Sequence, residues 1–170
     1  MAFKTGDAVF HPARGAGMVT GINKRNRDGE SHSYYTIELL GQPGTRLMIP
    51  TSSAKAVGLR RAMSQTKLQE VWRLLRGDPQ KLPHDHKDRY ALVEEKLQSG
   101  DALEVAAAVR DMAWRRKQEG KFTTRGKRIY EQAMMLIVGE IAAVQDIEVE
   151  DAAGQVNDRL QERMTPAPAA

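Results

Sequence analysis

The sequence contains no cysteine, which excludes disulfides, thiolate zinc sites and cysteine nucleophiles, and leans toward a reducing compartment. Aromatic residues make up only 5%. The first third of the chain lacks the basic-aromatic alternation that base stacking favours, although Tyr34 and Tyr35 stand side by side. There is no long apolar run, and Lys4 places a charge near the start. Both argue against a signal peptide or a membrane span and for a cytoplasmic protein. A phosphate-cradling P-loop is also missing. Gly15-Ala-Gly17 lacks the third glycine of a dinucleotide loop, and no helical pattern follows it. His84 and His86, with Asp85 and Asp88 nearby, offer a metal site only if a proline-rich loop is forced into one; we read them as surface residues. No enzyme class and no cofactor is indicated.

What is present is the composition of a globular protein, 41% hydrophobic and 28% charged over 170 residues, enough for one ordinary domain or two small ones. The net charge of +4 and pI near 9.4 permit an acidic or nucleic-acid partner without demanding one. Its distribution is more informative: net +3 over residues 1–58, +5 over 59–145 and −4 over 146–170. The basic surface therefore lies in the middle of the chain.

From Asp7 to Pro50 the pattern is of short strands broken by turn residues. Gly6-Asp7 reads as a turn, Val9 and Phe10 as a strand, and Pro12, Gly15 and Gly17 as a corner into a strand over residues 18–27. Asp28-Gly29 is a hairpin signal. Residues 33–40 alternate Tyr34, Thr36 and Glu38 against Tyr35, Ile37 and Leu39. Residues 46–49 form a further strand, ended by Pro50. Strands this short and frequent favour a Tudor- or SH3-like barrel.

After Gly58 the apolar period changes from two to about 3.6. Leu68, Val71, Trp72 and Leu75 give a buried stripe on a helix over residues 64–76, so Trp72 is core. Asp85 caps a helix that buries Tyr90, Val93 and Leu97. Asp101 caps the next, with Glu104 as the reciprocal member of a capping box. Thr123 or Thr124 starts the longest helix, whose stripe is Tyr130, Ala133, Met134, Ile137, Val138 and Ile141. Val149, Ala153, Val156 and Leu160 mark a last one. The expectation is an α+β chain of two domains: a small β-barrel over 1–58, a compact helical domain of about five helices over 59–164, and a disordered tail over 165–170.

Several stretches, in order, carry a family resemblance: Phe3-Lys4-x-Gly6-Asp7-x-Val9 with Pro12 and Gly15, Ile49-Pro50, Val57-Gly58-Leu59-Arg60, Glu95-Lys96-Leu97-x-Ser99-Gly100-Asp101, Val109-Arg110-Asp111 and Lys127-Arg128. Together they resemble the CarD/CdnL family of bacterial transcription regulators, whose barrel module also occurs in transcription-repair coupling factors. The resemblance implies a monomeric, nucleoid-associated factor that binds the RNA polymerase β subunit through the barrel and promoter DNA through the helices, with little sequence reading, stabilising the open complex. It places the polymerase contact on Arg25 and on the edge strand of Arg46, Leu47, Met48 and Ile49, and the DNA contact on His86, Lys87, Arg89, Lys127 and Arg128.

One position departs from the family. His86 stands where a Trp wedge is usual, and imidazole is smaller and more polar than the indole that props open a base step. On residue chemistry alone, Arg25 and Arg46 read as charges protecting a strand edge, and Arg115, Arg116 and Lys117 as ordinary helix surface. The rival to a polymerase-binding factor is a small basic barrel that binds RNA or the ribosome.

Overall fold

The computed structural model describes residues 2–164; the expected disordered tail over 165–170 lies outside the described residues. Five strands, β1 (Ala8–His11), β2 (Gly15–Arg27), β3 (Glu30–Leu39), β4 (Arg46–Pro50) and β5 (Arg60–Arg61), form one antiparallel sheet in the order β4-β3-β2-β1-β5. The period-two pattern of β3 does what it predicts: Tyr35, Ile37 and Leu39 are buried and join Phe3, Val9, Val19, Ile49, Ala54 and Leu59 in one cluster. On the opposite face Thr36 is also covered, where its Oγ1 accepts a hydrogen bond from Asn23 Nδ2 at 3.0 Å.

Two features of the sheet exceed the sequence-based expectation. β2 and β3 continue past the other strands as a ribbon, paired from Lys24 with Ser33 to Arg27 with Glu30. The Asp28-Gly29 turn, both residues at positive φ, lets the strands pair up to the turn itself. The second feature is β5, which pairs with β1 (Val9 with Arg61, Phe10 with Arg60) and lies beyond the boundary expected at Gly58. Two adjacent arginines show no alternation from which a strand could be read.

The helices start where capping residues precede apolar periodicity. Ser64 caps α1 (Gln65–Arg76), Asp85 caps α2 (His86–Gln98), Asp101 caps α3 (Ala102–Glu119) and Thr123 caps α4 (Thr124–Gln145), each side chain accepting a first-turn backbone N–H. α5 spans Val149–Met164. The capping box expected at Asp101 is replaced by a different arrangement. The Asp101 N–H, which Glu104 would have satisfied, donates to Ser99 Oγ at 3.2 Å, and Asp101 Oδ1 accepts from Leu103 N–H. The stripe of α1 packs as predicted, with Trp72 only 3% exposed in the helical core. Each such fully buried large side chain contributes about 1.5–3 kcal/mol.

The sheet and helices dock closely. Phe10 of β1 and Ala16 of β2 belong to the helical core cluster rather than to the sheet's own. Pro12 fits against Gly58 and Gly100, where a Cβ would lie 2.9 and 3.2 Å from its ring and φ is +84° and +72°. A side chain at either place would be strained, and it would clash with Pro12 at Gly58 and crowd it at Gly100. Across the junction, Arg60 and the buried Glu140 of α4 form a two-pronged ion pair at 2.6 and 2.9 Å. Arg60 Nε also donates to Gly100 O at 2.8 Å, and its guanidinium lies 4.4 Å from the centre of the Phe10 ring. Met63 N–H donates to Glu140 Oε2 at 2.7 Å.

Candidate functional site

Two surfaces hold the residues singled out from sequence. The first is the β4 side of the sheet. β4 is bonded on one side only, to β3. Leu39 N–H donates to Thr45 O and Thr51 N–H to Ser33 O. In an antiparallel ladder, inward- and outward-bonding residues alternate. Leu47 and Ile49 therefore bond inward to β3, and the backbone groups of Arg46, Met48 and Pro50 face out along the free edge. Their side chains divide the same way: Ile49 is buried and Leu47 packs on the sheet core.

Register also brings Arg25 and Arg46 onto one face. Arg25 pairs with His32, Tyr34 with Pro50, Thr36 with Met48 and Glu38 with Arg46, and paired or alternate residues share a face. Exposed arginines thus stand at the two ends of a strip whose centre is Tyr34, Met48 and Pro50. His32 through Glu38 along β3 spans roughly 20 Å. Ile49 reaches this surface only through its neighbours, since its side chain is core and its backbone is bonded to β3.

The second surface is the end of the helical domain where α2 and α4 begin. His86 is the first residue of α2 and its side chain is 64% exposed, with Nδ1 4.0 Å from Asp85 Oδ1. Four residues on, the hydroxyl of buried Tyr90 bonds Thr123 Oγ1, the cap of α4, and Glu94 pairs with Arg125 at 3.3 Å. The two helix starts are thereby held side by side. Lys87, Lys127 and Arg128 are exposed there. Arg89 is different: it is buried and donates to Pro83 O at 3.2 Å and His84 O at 2.9 Å, holding the loop that leads into α2. Its charge shapes the surface from beneath.

Residues not singled out from sequence complete this end. The Arg116 guanidinium lies 5.1 Å from the centres of both the Phe122 and Tyr130 rings, and Arg125 lies 5.1 Å from that of Tyr90. Burial pushes the Tyr130 hydroxyl above its ordinary pKa, and the opposing pull of Arg116 is smaller. The signal that could have found them is the alternation of cations with Phe122 and Tyr130 across the α3–α4 turn. Among the described residues, no group of three or more His, Cys, Asp or Glu is placed to hold a metal ion, and no helix is long and apolar enough to cross a membrane.

The molecule is thus a two-part protein, a small antiparallel sheet docked on five helices, with a free strand edge on one and a cationic tip on the other. Residues 3–63 match the CarD-like/TRCF RID domain, and residues 70–157 match the CarD C-terminal domain. The chain belongs to the CarD family. It is 26% identical over 145 residues to "Putative transcription factor YdeB" of Bacillus subtilis (strain 168), covering 85% of this chain and 94% of that protein.

Proposed function

We propose that this chain is a monomeric cytoplasmic regulator of transcription initiation that docks on the RNA polymerase β subunit through the β4 edge and holds promoter DNA at the upstream border of the bubble with the α2/α4 tip. The observation that carries the reading is that an unpaired strand edge and an exposed cationic helix end sit on one docked body. A strand edge supplies backbone donors and acceptors to an incoming strand, and Arg25 and Arg46 at the ends of the outer strip favour an acidic partner. At the tip, helix starts present free N–H groups and a positive dipole end, to which Lys87, Lys127 and Arg128 add charge, so phosphates are held without sequence being read. Arg89 serves by fixing the loop beneath His86. A tip that binds melted DNA better than closed duplex slows bubble collapse in proportion to that difference.

His86 limits the wedge. Replacing it by Trp enlarges the apolar face available to a base step, whose unstacking costs a few kcal/mol. The test has two arms. Capture from a lysate of the source bacterium retains RNA polymerase β, whereas recovery of ribosomal particles instead overturns the reading in favour of an RNA-binding module. In open-complex lifetime assays on linear promoter DNA, His86→Trp extends the lifetime several-fold beyond the unaltered chain, and His86→Ala changes it little. Equal lifetimes for all three remove His86 from the mechanism.

A further inference from the structure

The junction between sheet and helices contains a charged pair where an apolar contact would have sufficed. α4 presents Leu136, Ile137, Val138 and Ile141 to the core, and Glu140, only 1% exposed, sits among them. Its carboxylate receives both prongs of Arg60 and the N–H of Met63. One carboxylate therefore ties down both ends of segment 60–63, which connects the two halves. Arg60 also grips the α2–α3 turn through Gly100 O and stacks on Phe10 of β1. Small-residue contacts such as Ala16 against Gly139 are flat and tolerate sliding, whereas a two-pronged Arg–carboxylate pair admits essentially one geometry.

We infer that Arg60 and Glu140 are positioning residues that fix the distance and angle between the β4 edge and the α2/α4 tip, so that a single molecule reaches both partners on one promoter complex. This rests on the function proposed above. The point that Arg60 grips, Gly100, lies just past the last turn of α2, and His86 lies at the other end of that 13-residue helix, roughly 20 Å away. A 10° error at the base of such a lever displaces its end by roughly 3–4 Å, about one base-pair step of the duplex. The latch thus decides which step the tip meets once the sheet is seated.

The chain has no cysteine, which permits a clean test. A Cβ on Gly139 would lie 3.8 Å from Ala16 Cβ, the separation of a disulfide. The Ala16→Cys/Gly139→Cys pair therefore staples β2 to α4 without touching Arg60, Glu140 or either outer surface. The full chain, Glu140→Gln, and Glu140→Gln carrying the staple are compared on polymerase–promoter complexes, oxidised and reduced. Affinities for isolated β subunit and for fork-junction DNA are measured alongside.

Glu140→Gln is expected to leave each separate affinity within about twofold while shortening the open-complex lifetime about tenfold, as coupling between the two contacts is lost. Oxidising the staple restores the lifetime, and reducing it removes the gain; lifetimes are compared at a temperature where circular dichroism shows Glu140→Gln fully folded, so that stability added by the disulfide does not account for the rescue. The inference is overturned if folded Glu140→Gln sustains the full lifetime or if the oxidised staple restores nothing. Should Glu140→Gln fail to fold by circular dichroism, Arg60→Lys, which keeps the charge but loses the fork, takes its place with the same outcomes. An unaltered chain that leaves the lifetime unchanged defeats the proposed function itself, and the latch with it.

Discussion

The junction and the tip of this molecule use the same basic chemistry in opposite ways. At the junction, Arg60 is engaged by partners within the protein: each guanidinium nitrogen donates to Glu140, Gly100 or Arg61, and its face lies on Phe10. At the tip, Lys87, Lys127 and Arg128 stand exposed on the starts of two helices. The difference teaches how to tell a charge that builds the fold from one left exposed, and so free for the binding role proposed for it. Removing the first destabilises the fold, and removing the second leaves its stability unchanged. Arg89 lies between the two extremes, because it sits at the tip in sequence and belongs with the builders in structure.

The largest effect that would sharpen this contrast is at Glu140. Glu140→Ala leaves Arg60 without its partner, and breaking a buried pair costs 3–5 kcal/mol in general. Because the Arg60 side chain keeps 33% exposure, the lower end, about 3 kcal/mol, is expected, or roughly 6–12 °C in thermal unfolding. A change under about 2 °C would erase the distinction between the regions.

The next effect separates Arg89 from its neighbours. Lys127→Ala with Arg128→Ala is expected to keep the unfolding temperature and reduce the slope of log affinity for DNA against log salt by up to about 2, one per phosphate contact. Arg89→Ala is expected to lower stability by about 1–3 kcal/mol through the lost bonds to Pro83 and His84. If Arg89→Ala changed only the salt slope, it would have to be moved among the binders.

The smallest effect concerns pH at the β1–β2 corner. His11 Nδ1 accepts from the Ala13 and Arg14 N–H groups at 3.0 and 3.2 Å, so the neutral ring is the one the turn uses. Its pKa is lowered from 6.5, first by burial and then by Arg14. A base whose folded pKa is depressed contributes stability above its unfolded pKa and loses it as pH falls through the folded value. Unfolding temperature should therefore fall by on the order of 1 °C on going from pH 7 to below 6, the ring being largely solvated. His11→Gln should lack that increment. An equal decline in both variants would assign the pH dependence elsewhere.

Much of this arrangement was legible in the residues, because local chemistry and tertiary packing agree. Ser64, Asp85, Asp101 and Thr123 cap the helices they precede, and the alternation of β3 faces the core as read. What escaped notice depends on partners distant in sequence. β5 is two arginines that form a strand only because β1 lies beside them, and Arg60 meets Glu140 across 80 residues. A carboxylate within the apolar run Ile137-Val138-Gly139-Glu140-Ile141 was the available hint, since an unpaired buried charge is too costly to persist. Arg89 was misleading for the converse reason. It shares its stretch with exposed Lys87, and only the path of the loop over it shows that its guanidinium is enclosed. The family likeness pointed to residues that the fold gathers on two surfaces, the β4 edge and the α2/α4 tip; the scaffold that joins them was not legible.

Pro50 closes β4 with its ring nitrogen turned toward the open side, where a backbone donor would otherwise stand. The free edge of β4 therefore holds just two outward amide hydrogens, those of Arg46 and Met48. A visiting strand has room for a short hydrogen-bonded stretch in one alignment, while a second copy of the chain finds too few rungs to propagate a ladder. Under the proposed docking role, one imino acid would both fix the alignment of a guest strand and disfavour ladders between copies of the chain.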